Sequence, residues 1–197
     1  QSTAENLYGS DSLAAASAYV WEVGVIDDRD AQDRLMRRAY AIQTAKLSPA
    51  SIARAYAEFN MAIFQLELRQ RPDLAEPHLA QAVRIGRRVS SRAHADVLSF
   101  ELAWATTLNA LGRHRECLQQ LADPPGNPED IQDAARLGAL HLELGKAAVA
   151  LQRPAQAQAQ IAAVETLWRR LGKPVPKDLA AAIRTLERAL PRAAAIR

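Results

Sequence analysis

The sequence predicts an all-α fold made of about four helical hairpins and a C-terminal capping helix. Apolar residues recur at steps of three and four through most of the chain, which is the spacing of one helix face. Four segments align when Ala31, Ala75, Cys117 and Ala157 are superimposed, with spacings of 44, 42 and 40 residues. An internal period of this length is typical of stacked helical hairpins. Aromatic residues are only 5% of the sequence and no run alternates between apolar and polar residues, so no strand is predicted.

The clearest hairpin lies in residues 97–121. Its first helix carries an apolar stripe formed by Leu98, Leu102, Ala105, Leu108 and Leu111. Gly112 can adopt the left-handed conformation that ends a helix, and a second stripe with Cys117 and Leu121 follows almost at once. Two helices joined by so short a turn must fold back on each other. Because a single hairpin leaves apolar surface uncovered, this one needs neighbours of the same kind.

Local signals place the helices that precede this hairpin. Start signals stand at Asp11-Ser12 for the first helix, at Asp27, Asp28 and Asp30 for the second, and at Ser48-Pro49 for the third. The third helix has the longest apolar stripe, which consists of Ile52, Tyr56, Phe59, Ile63 and Leu66. The fourth begins either at a capping box of Asp73 and Glu76 or one turn later at Pro77.

Similar signals place the helices around and after the hairpin. Ser90-Ser91 caps it, the breaker at residues 123–128 follows it, Asn127-Pro128 restarts a seventh helix, and Pro154 opens an eighth that closes at Gly172. A ninth helix, from about Lys177 to Leu190, is expected to cover the last hairpin, because that hairpin has no following neighbour. We therefore expect one domain over residues 11–190, with a disordered or vector-derived tail at residues 1–10 and a second tail at residues 191–197.

The aligned segments resemble tetratricopeptide repeats, in particular the longer-armed kind found in bacterial regulatory proteins. In that family a small residue opens the second helix of each hairpin, and a Leu-Gly pair lies twelve residues before it. Leu144-Gly145 stands twelve residues before Ala157, and Gly112-Arg113-His114 matches the turn between helices. The Leu-Gly position is instead Ala62-Ile63 in the second segment and Trp104-Ala105 in the third. The resemblance covers roughly residues 13–171 and implies a right-handed α-α superhelix.

The residue types that catalysis requires do not form a recognisable constellation. The four histidines show no paired spacing, and the eight glycines form no phosphate-binding loop. Cys117 is the only cysteine, lacks a recognisable base partner and falls where the repeat places a small buried residue. We therefore expect no enzyme activity, no catalytic residue, no metal and no cofactor. The three tryptophans, Trp21, Trp104 and Trp168, are interpreted as packing residues, with a ligand-pocket role for one of them left open.

The resemblance also implies where a partner binds, because in such repeats the first helix of each hairpin lines a concave groove. The groove-facing positions carried over from the family are Asn60, Phe64, Glu67, Ser99, Thr106, Asn109 and Lys146. Asn60 and Asn109 are expected to hold the main chain of an extended peptide, since an amide both donates and accepts hydrogen bonds. A hydrogen bond between helices is the alternative for Asn60. The Lys-x-x-x-Asn pattern that some relatives use for a C-terminal carboxylate is absent.

Two arginine clusters support an alternative function. Arg34, Arg37 and Arg38 lie on the second helix, and Arg84, Arg87, Arg88 and Arg92 lie on or just after the fourth. Each set shares a helical face and could meet phosphates, although no stacking aromatic residues are interleaved with them. The net charge of +3 is mild, because 22 acidic residues are interspersed with the 25 basic ones.

The leading interpretation is therefore a scaffold that binds another protein or an extended peptide. It fits the sensor or regulatory segment of a larger bacterial signalling protein, while a phosphate- or nucleic-acid-binding helical repeat is the alternative.

No apolar run approaches the ~20 residues of a membrane span. The sequence leaves homo-oligomer formation open. It also leaves the compartment undecided between the cytoplasm, slightly favoured, and the periplasm, if a signal peptide has been removed.

Overall fold

The computed structural model describes residues 9–125 and 131–190, apart from the side chains of residues 131 and 132. Within those ranges the fold is entirely helical, without a strand, as predicted. The nine helices are α1 (Leu13–Val23), α2 (Arg29–Lys46), α3 (Ile52–Ile63), α4 (Pro72–Val89), α5 (Ala95–Ala110), α6 (His114–Gln120), α7 (Ile131–Ala150), α8 (Pro154–Arg170) and α9 (Lys177–Ala189). Residues 1–8 of the predicted tail at 1–10, the predicted tail at 191–197 and the predicted restart at Asn127-Pro128 lie outside the described residues.

The chain folds as two compact units that divide in sequence between Val89 and Ser90. In the first unit α1 packs against α2, α2 against α3, and α3 against α4. In the second unit α5 packs against α7, α6 against both of them, and α8 and α9 against α7. These contacts confirm packed helices as the basis of the fold. Whether the two units continue one superhelix, and so form a single domain over residues 11–190, stays a prediction.

Several helix ends fall where the sequence places them. Ser12 accepts a hydrogen bond from the backbone N–H of Ala15, and Asp28 accepts two, from Asp30 and Ala31, so both residues cap a helix N-terminus. Pro154 is the first residue of α8. Gly112 and Gly172 follow α5 and α8 with φ values of +70° and +62°, the left-handed conformation that glycine adopts without strain.

Three predicted starts are wrong. The cap of α3 is Ser51 rather than Ser48-Pro49, and the cap of α5 is His94 rather than Ser90-Ser91. Helix α4 begins at Pro72, so neither the capping box nor Pro77 opens it, and Pro77 lies inside the helix. In each case a residue within four positions of the expected one supplies the cap or the start, because several equivalent signals stand close together.

The predicted apolar stripe of α3 is only partly buried. Tyr56, in the middle of the expected apolar stripe, is 40% exposed. The residues of α3 that are buried are Ala55, Ala57, Glu58, Met61 and Ala62. A π-helical turn, Phe64–Leu68, follows α3, so the helix also loses its regular geometry near its end. The small alanines of α3 allow neighbouring helices to approach closely. The face of α3 that is buried is therefore the one that carries these alanines, and not the one with the largest apolar residues.

The C-terminal helix covers its neighbour as expected. Leu179 and Leu186 of α9 lie over Gly138 and Gly145 of α7, where a Cβ atom would stand 3.2 Å from Leu179 Cδ1 and 2.5 Å from Leu186 Cδ2. The two glycines therefore allow α9 to pack closely on α7.

The tryptophans divide between core and surface. Trp104 and Trp168 are 6% and 3% exposed, as packing residues should be, whereas Trp21 on α1 is 81% exposed. The interpretation of Trp21 as a packing residue is therefore wrong. Cys117 is fully buried, as predicted, and burial, together with the charge of Glu143, raises the pKa of its thiol to about 12.

Candidate functional site

A polar network links three helices of the second unit around Glu143 of α7. Asn109 of α5 donates from Nδ2 to the Glu143 backbone oxygen at 2.9 Å and to Glu143 Oε2 at 2.8 Å. Lys146 Nζ donates to the other carboxylate oxygen, Oε1, at 2.6 Å. The Nδ1 atom of His114, the first residue of α6, lies 3.1 Å from Asn109 Oδ1. Both carboxylate oxygens of Glu143 and both polar atoms of the Asn109 amide thus have partners inside the protein.

This network gives Asn109 a structural role that the sequence did not indicate. Its amide ties α5 to α7, a hydrogen bond between helices of the kind that the sequence offered as the alternative for Asn60. Lys146 is different, because its side chain is 56% exposed and only one of its three donors is directed at Glu143. Of the two residues, Lys146 is the one that presents unused hydrogen-bonding capacity to solvent.

An open apolar cleft of about 530 Å³ begins at Lys146 and runs between α7 and α9. Its lining residues are Lys146, Val149, Ala150, Ala182, Thr185, Leu186 and Ala189. The three alanines leave the space that larger side chains would fill, while Leu186 and Val149 supply apolar walls. The cleft can therefore accept one aliphatic or aromatic side chain, and Lys146 can pair with a carboxylate at its edge.

The other expected groove residues are distributed between the two units. Phe64 is 5% exposed and packs in the core with Val23, Met36 and Met61, beneath the Arg69 guanidinium 4.8 Å above its ring. It therefore offers little surface to a partner. Ser99 and Thr106 donate to carbonyl oxygens of their own helix, those of Ala95 and Leu102. Asn60 is half-buried on α3 and Glu67 is exposed. The assignment of Phe64 to the groove is therefore wrong, because it is a core residue, whereas the placement of the other six positions along one groove stays a prediction.

The arginines of the alternative function have different environments. Arg34, Arg37, Arg84 and Arg88 are exposed and Arg87 is half-buried. Arg38 is also exposed, but its guanidinium lies 3.5 Å from Asp11 Oδ1 and 5.3 Å from the centre of the Tyr19 ring. A cleft of about 440 Å³ contains Arg34 and Arg38 together with the carboxylates of Glu22 and Asp28. Negative charge thus accompanies positive charge along this part of α2.

Arg92 serves the fold of the second unit. Its Nε and Nη2 atoms donate to the two carboxylate oxygens of Glu101 at 2.8 and 3.1 Å, and Nη1 donates to the carbonyl oxygens of Ala122 and Asp123. Glu101 is fully buried. Since the guanidinium compensates a buried carboxylate and fastens the loop after α6, it is committed to contacts within the protein.

A second buried carboxylate, Glu58, lies in the first unit and was missed by the sequence analysis. Its Oε2 atom accepts from Tyr40 of α2 at 2.9 Å and lies 2.8 Å from His78 Nδ1 of α4, while Arg54 of α3 donates to Oε1 at 3.3 Å. Burial opposes ionisation of the Glu58 carboxyl, but the bonds from His78 and Tyr40 and the charge of Arg54 hold its pKa below the ordinary value. Burial and the bond to Glu58 raise the pKa of Tyr40 to about 12.

Among the described residues no group of three His, Cys, Asp or Glu side chains lies close enough to hold a metal ion. No helix in the described ranges is both long and apolar enough to cross a membrane. Comparison with models of known protein families gives no match, and a search of curated proteins also finds no matching sequence.

Proposed function

We propose that the chain is a helical-repeat scaffold that binds a peptide or an extended segment of another protein. The observation that carries the proposal is the open apolar cleft between α7 and α9 with Lys146 at its edge. The ligand class is a short segment in which an apolar side chain lies close to an acidic one. The resemblance to tetratricopeptide repeats supports this function, since repeats of that kind bind extended segments, and it fits the sensor or regulatory segment of a bacterial signalling protein.

The apolar side chain of the ligand supplies most of the affinity. Full burial of one Leu or Phe side chain contributes about 1.5–3 kcal/mol. Leu186, one of the apolar walls of the cleft, is 6% exposed and packs against Gly145, so its position is held by neighbouring residues. A side chain that enters between α7 and α9 contacts walls that are already in place.

The acidic residue of the ligand supplies orientation more than affinity. Lys146 is largely exposed, and exposed ion pairs contribute only about 0.2–1 kcal/mol. Its bond to Glu143 holds the ammonium group beside the cleft, where a ligand carboxylate meets it without further ordering of the side chain. Because these two contacts must also offset the entropy lost on association, we expect a modest affinity, in the micromolar range or weaker, unless further contacts are made.

Selection from a random peptide display library tests the proposal without knowledge of the natural partner. We expect the enriched peptides to share an apolar residue with an acidic residue nearby. Synthetic peptides with that pattern should bind the parent protein in fluorescence polarisation. Thr185→Trp fills the cleft and should weaken binding at least about tenfold, since a filled cleft cannot bury the ligand side chain. Lys146→Glu reverses the charge at the edge and should weaken it about fivefold.

Matched controls use residues of the same unit outside the cleft. Arg184→Trp introduces the same large side chain on the exposed face of α9, and Lys173→Glu makes the same charge reversal before that helix. Both should bind the selected peptides within about twofold of the parent. Peptides that bind Thr185→Trp and Lys146→Glu as well as the parent would place the site elsewhere. Ligands whose affinity falls steeply with salt and is lost with Arg34, Arg37, Arg84 and Arg88 changed to Ala would support the phosphate-binding alternative.

A further inference from the structure

Helix α1 has apolar residues on two opposite faces, and only one of them is buried within the first unit. The buried face consists of Ala15, Ala16, Tyr19 and Val23. The opposite face carries Leu13, Ala14, Ser17 and Trp21, and the turn after the helix adds Val25. Trp21 is 81% exposed, Val25 79% and Leu13 39%. A helix that is apolar all round is normally buried all round, so the exposed face of α1 indicates a missing contact.

Helix α9 provides a comparison, because its exposed face is charged. Helix α9 buries Leu179, Ile183 and Leu186 and is charged on its exposed side, at Lys177, Asp178, Arg184, Glu187 and Arg188. A helix face that stays in contact with solvent carries charged and polar residues of this kind. None of the residues on the exposed face of α1 carries a charge. The two helices therefore differ in the feature that distinguishes a solvent-facing surface from an interface.

We propose that the exposed face of α1 is an interface between two copies of this chain, in which α1 packs antiparallel against α1 of the second copy. Leu13 and Trp21 lie four residues on either side of Ser17, so all three share one stripe of the helix. A two-fold axis at Ser17 places Trp21 of each copy opposite Leu13 of the other. The small Ser17 at the centre allows the helices to approach closely, and the large residues at the flanks interlock.

The absence of charge favours a second copy over an unrelated partner. A charged partner needs complementary charge on this face, and the face has none. A copy of the same surface meets no like-charge repulsion, and the symmetric large–small–large pattern makes the surface complementary to itself. Tryptophan is also the residue most enriched among those that dominate interface affinity.

The size of the exposed face of α1 determines how tightly the two copies are expected to associate. A buried tryptophan contributes about 150–250 Å². Leu13 and Val25 add less, so the face falls short of the ~800 Å² per partner of a standard stable interface. We therefore expect a reversible dimer with a dissociation constant in the range of tens to hundreds of micromolar. This inference does not depend on the peptide cleft, which lies in the other unit.

Sedimentation equilibrium over a concentration series from about 5 µM to about 1 mM tests the proposal. The mass should rise from that of the monomer towards twice that value. Acrylamide quenching of tryptophan fluorescence should fall over the same range, because Trp104 and Trp168 are buried in the monomer and Trp21 carries the exposed signal. Trp21→Glu should keep the protein monomeric throughout. Leu74→Glu changes a residue of α4 that is 44% exposed, and it should leave the association unchanged.

Cross-linking identifies the geometry of the dimer. In a Cys117→Ala background, Ser17→Cys should form a disulfide between copies at high protein concentration, because the proposed axis brings the two residues together. Thr185→Cys on α9 is the control and should not. A protein that stays monomeric at about 1 mM overturns the proposal. A dimer that persists in Trp21→Glu, or one that Ser17→Cys fails to cross-link, also overturns it.

Discussion

The two units bury a carboxylate in different ways. In the first unit the Glu58 carboxylate is hydrogen-bonded by Tyr40, His78 and Arg54, which belong to three helices. In the second unit Glu101 receives both Nε and Nη2 of Arg92, a permanent cation held in a fixed two-bond geometry. The Glu58 cluster depends on pH, since the Tyr40 hydroxyl and the Glu58 carboxyl both have shifted pKa values. Removal of Arg92 takes away two charge-assisted bonds to Glu101 at once.

The largest expected effect comes from removing that arginine. Arg92→Ala leaves the fully buried Glu101 without its guanidinium and releases the carbonyl oxygens of Ala122 and Asp123. Breaking a buried ion pair costs about 3–5 kcal/mol, so the free energy of unfolding in urea should fall by about that amount. Arg88→Ala, which removes an exposed arginine in the last turn of α4, should cost less than about 0.5 kcal/mol. A loss below about 1 kcal/mol for Arg92→Ala would contradict a dominant role for Arg92.

Glu58→Gln is expected to have a smaller effect, because three donors share the carboxylate. Loss of the charge-assisted bonds should lower the free energy of unfolding by about 1–3 kcal/mol at pH 7. The pKa of Glu58 is lower in the folded than in the unfolded chain. Its contribution is therefore present above the unfolded value of about 4.3 and is lost as the pH falls through the folded value.

The pH dependence distinguishes this prediction from a simple packing defect. Urea denaturation at a series of pH values should show the difference between parent and Glu58→Gln shrinking below about pH 4. A difference that stays constant down to pH 2 would mean that the charge of Glu58 does not contribute.

Tyr40→Phe tests how the stability contributed by the Glu58 cluster changes at alkaline pH. The hydroxyl donates one hydrogen bond to Glu58, so its removal should cost about 1 kcal/mol at pH 7. The folded pKa of about 12 exceeds the unfolded value of about 10. Since the raised pKa favours the folded state below pH 10, this contribution should be lost as the pH rises from 10 to 12. The parent should lose stability over that window and Tyr40→Phe should lose less; equal slopes would show that Tyr40 titrates normally.

The smallest expected effect concerns the packing of α9 on α7 in the second unit. Gly145→Ala places a methyl group 2.5 Å from the end of the Leu186 side chain, which must shift. The better helix propensity of alanine, worth up to about 1 kcal/mol, offsets part of this strain. We expect a net change within about 1 kcal/mol in thermal unfolding, whereas Gly145→Leu should detach α9 and lower stability by several times more. A stable Gly145→Leu protein would show that α9 does not depend on close packing at Gly145.

The features that could be predicted from the sequence alone depend on residues that are close together in the chain. The caps at Ser12 and Asp28, the left-handed glycines after α5 and α8, and the start of α8 at Pro154 depend on a few adjacent residues. Helix type likewise follows from the spacing of apolar residues, because that spacing is a property of the chain itself. Burial of Cys117 was predictable because it falls on the second stripe of the clearest hairpin. The helical class and those boundaries that have a single local signal can therefore be predicted from the sequence.

The tertiary structure decided which faces are buried and which polar groups meet. Glu58, Glu101 and Glu143 look like solvent-facing residues in sequence, yet donors that lie up to 34 residues away compensate their burial. Phe64 in the core, Trp21 on the surface and the cleft beside Lys146 likewise depend on where other helices lie. A helix presents several apolar and small residues around its circumference, and its own sequence does not specify which of them a neighbour will cover. That choice is made by close packing between helices, an interaction between residues distant in sequence.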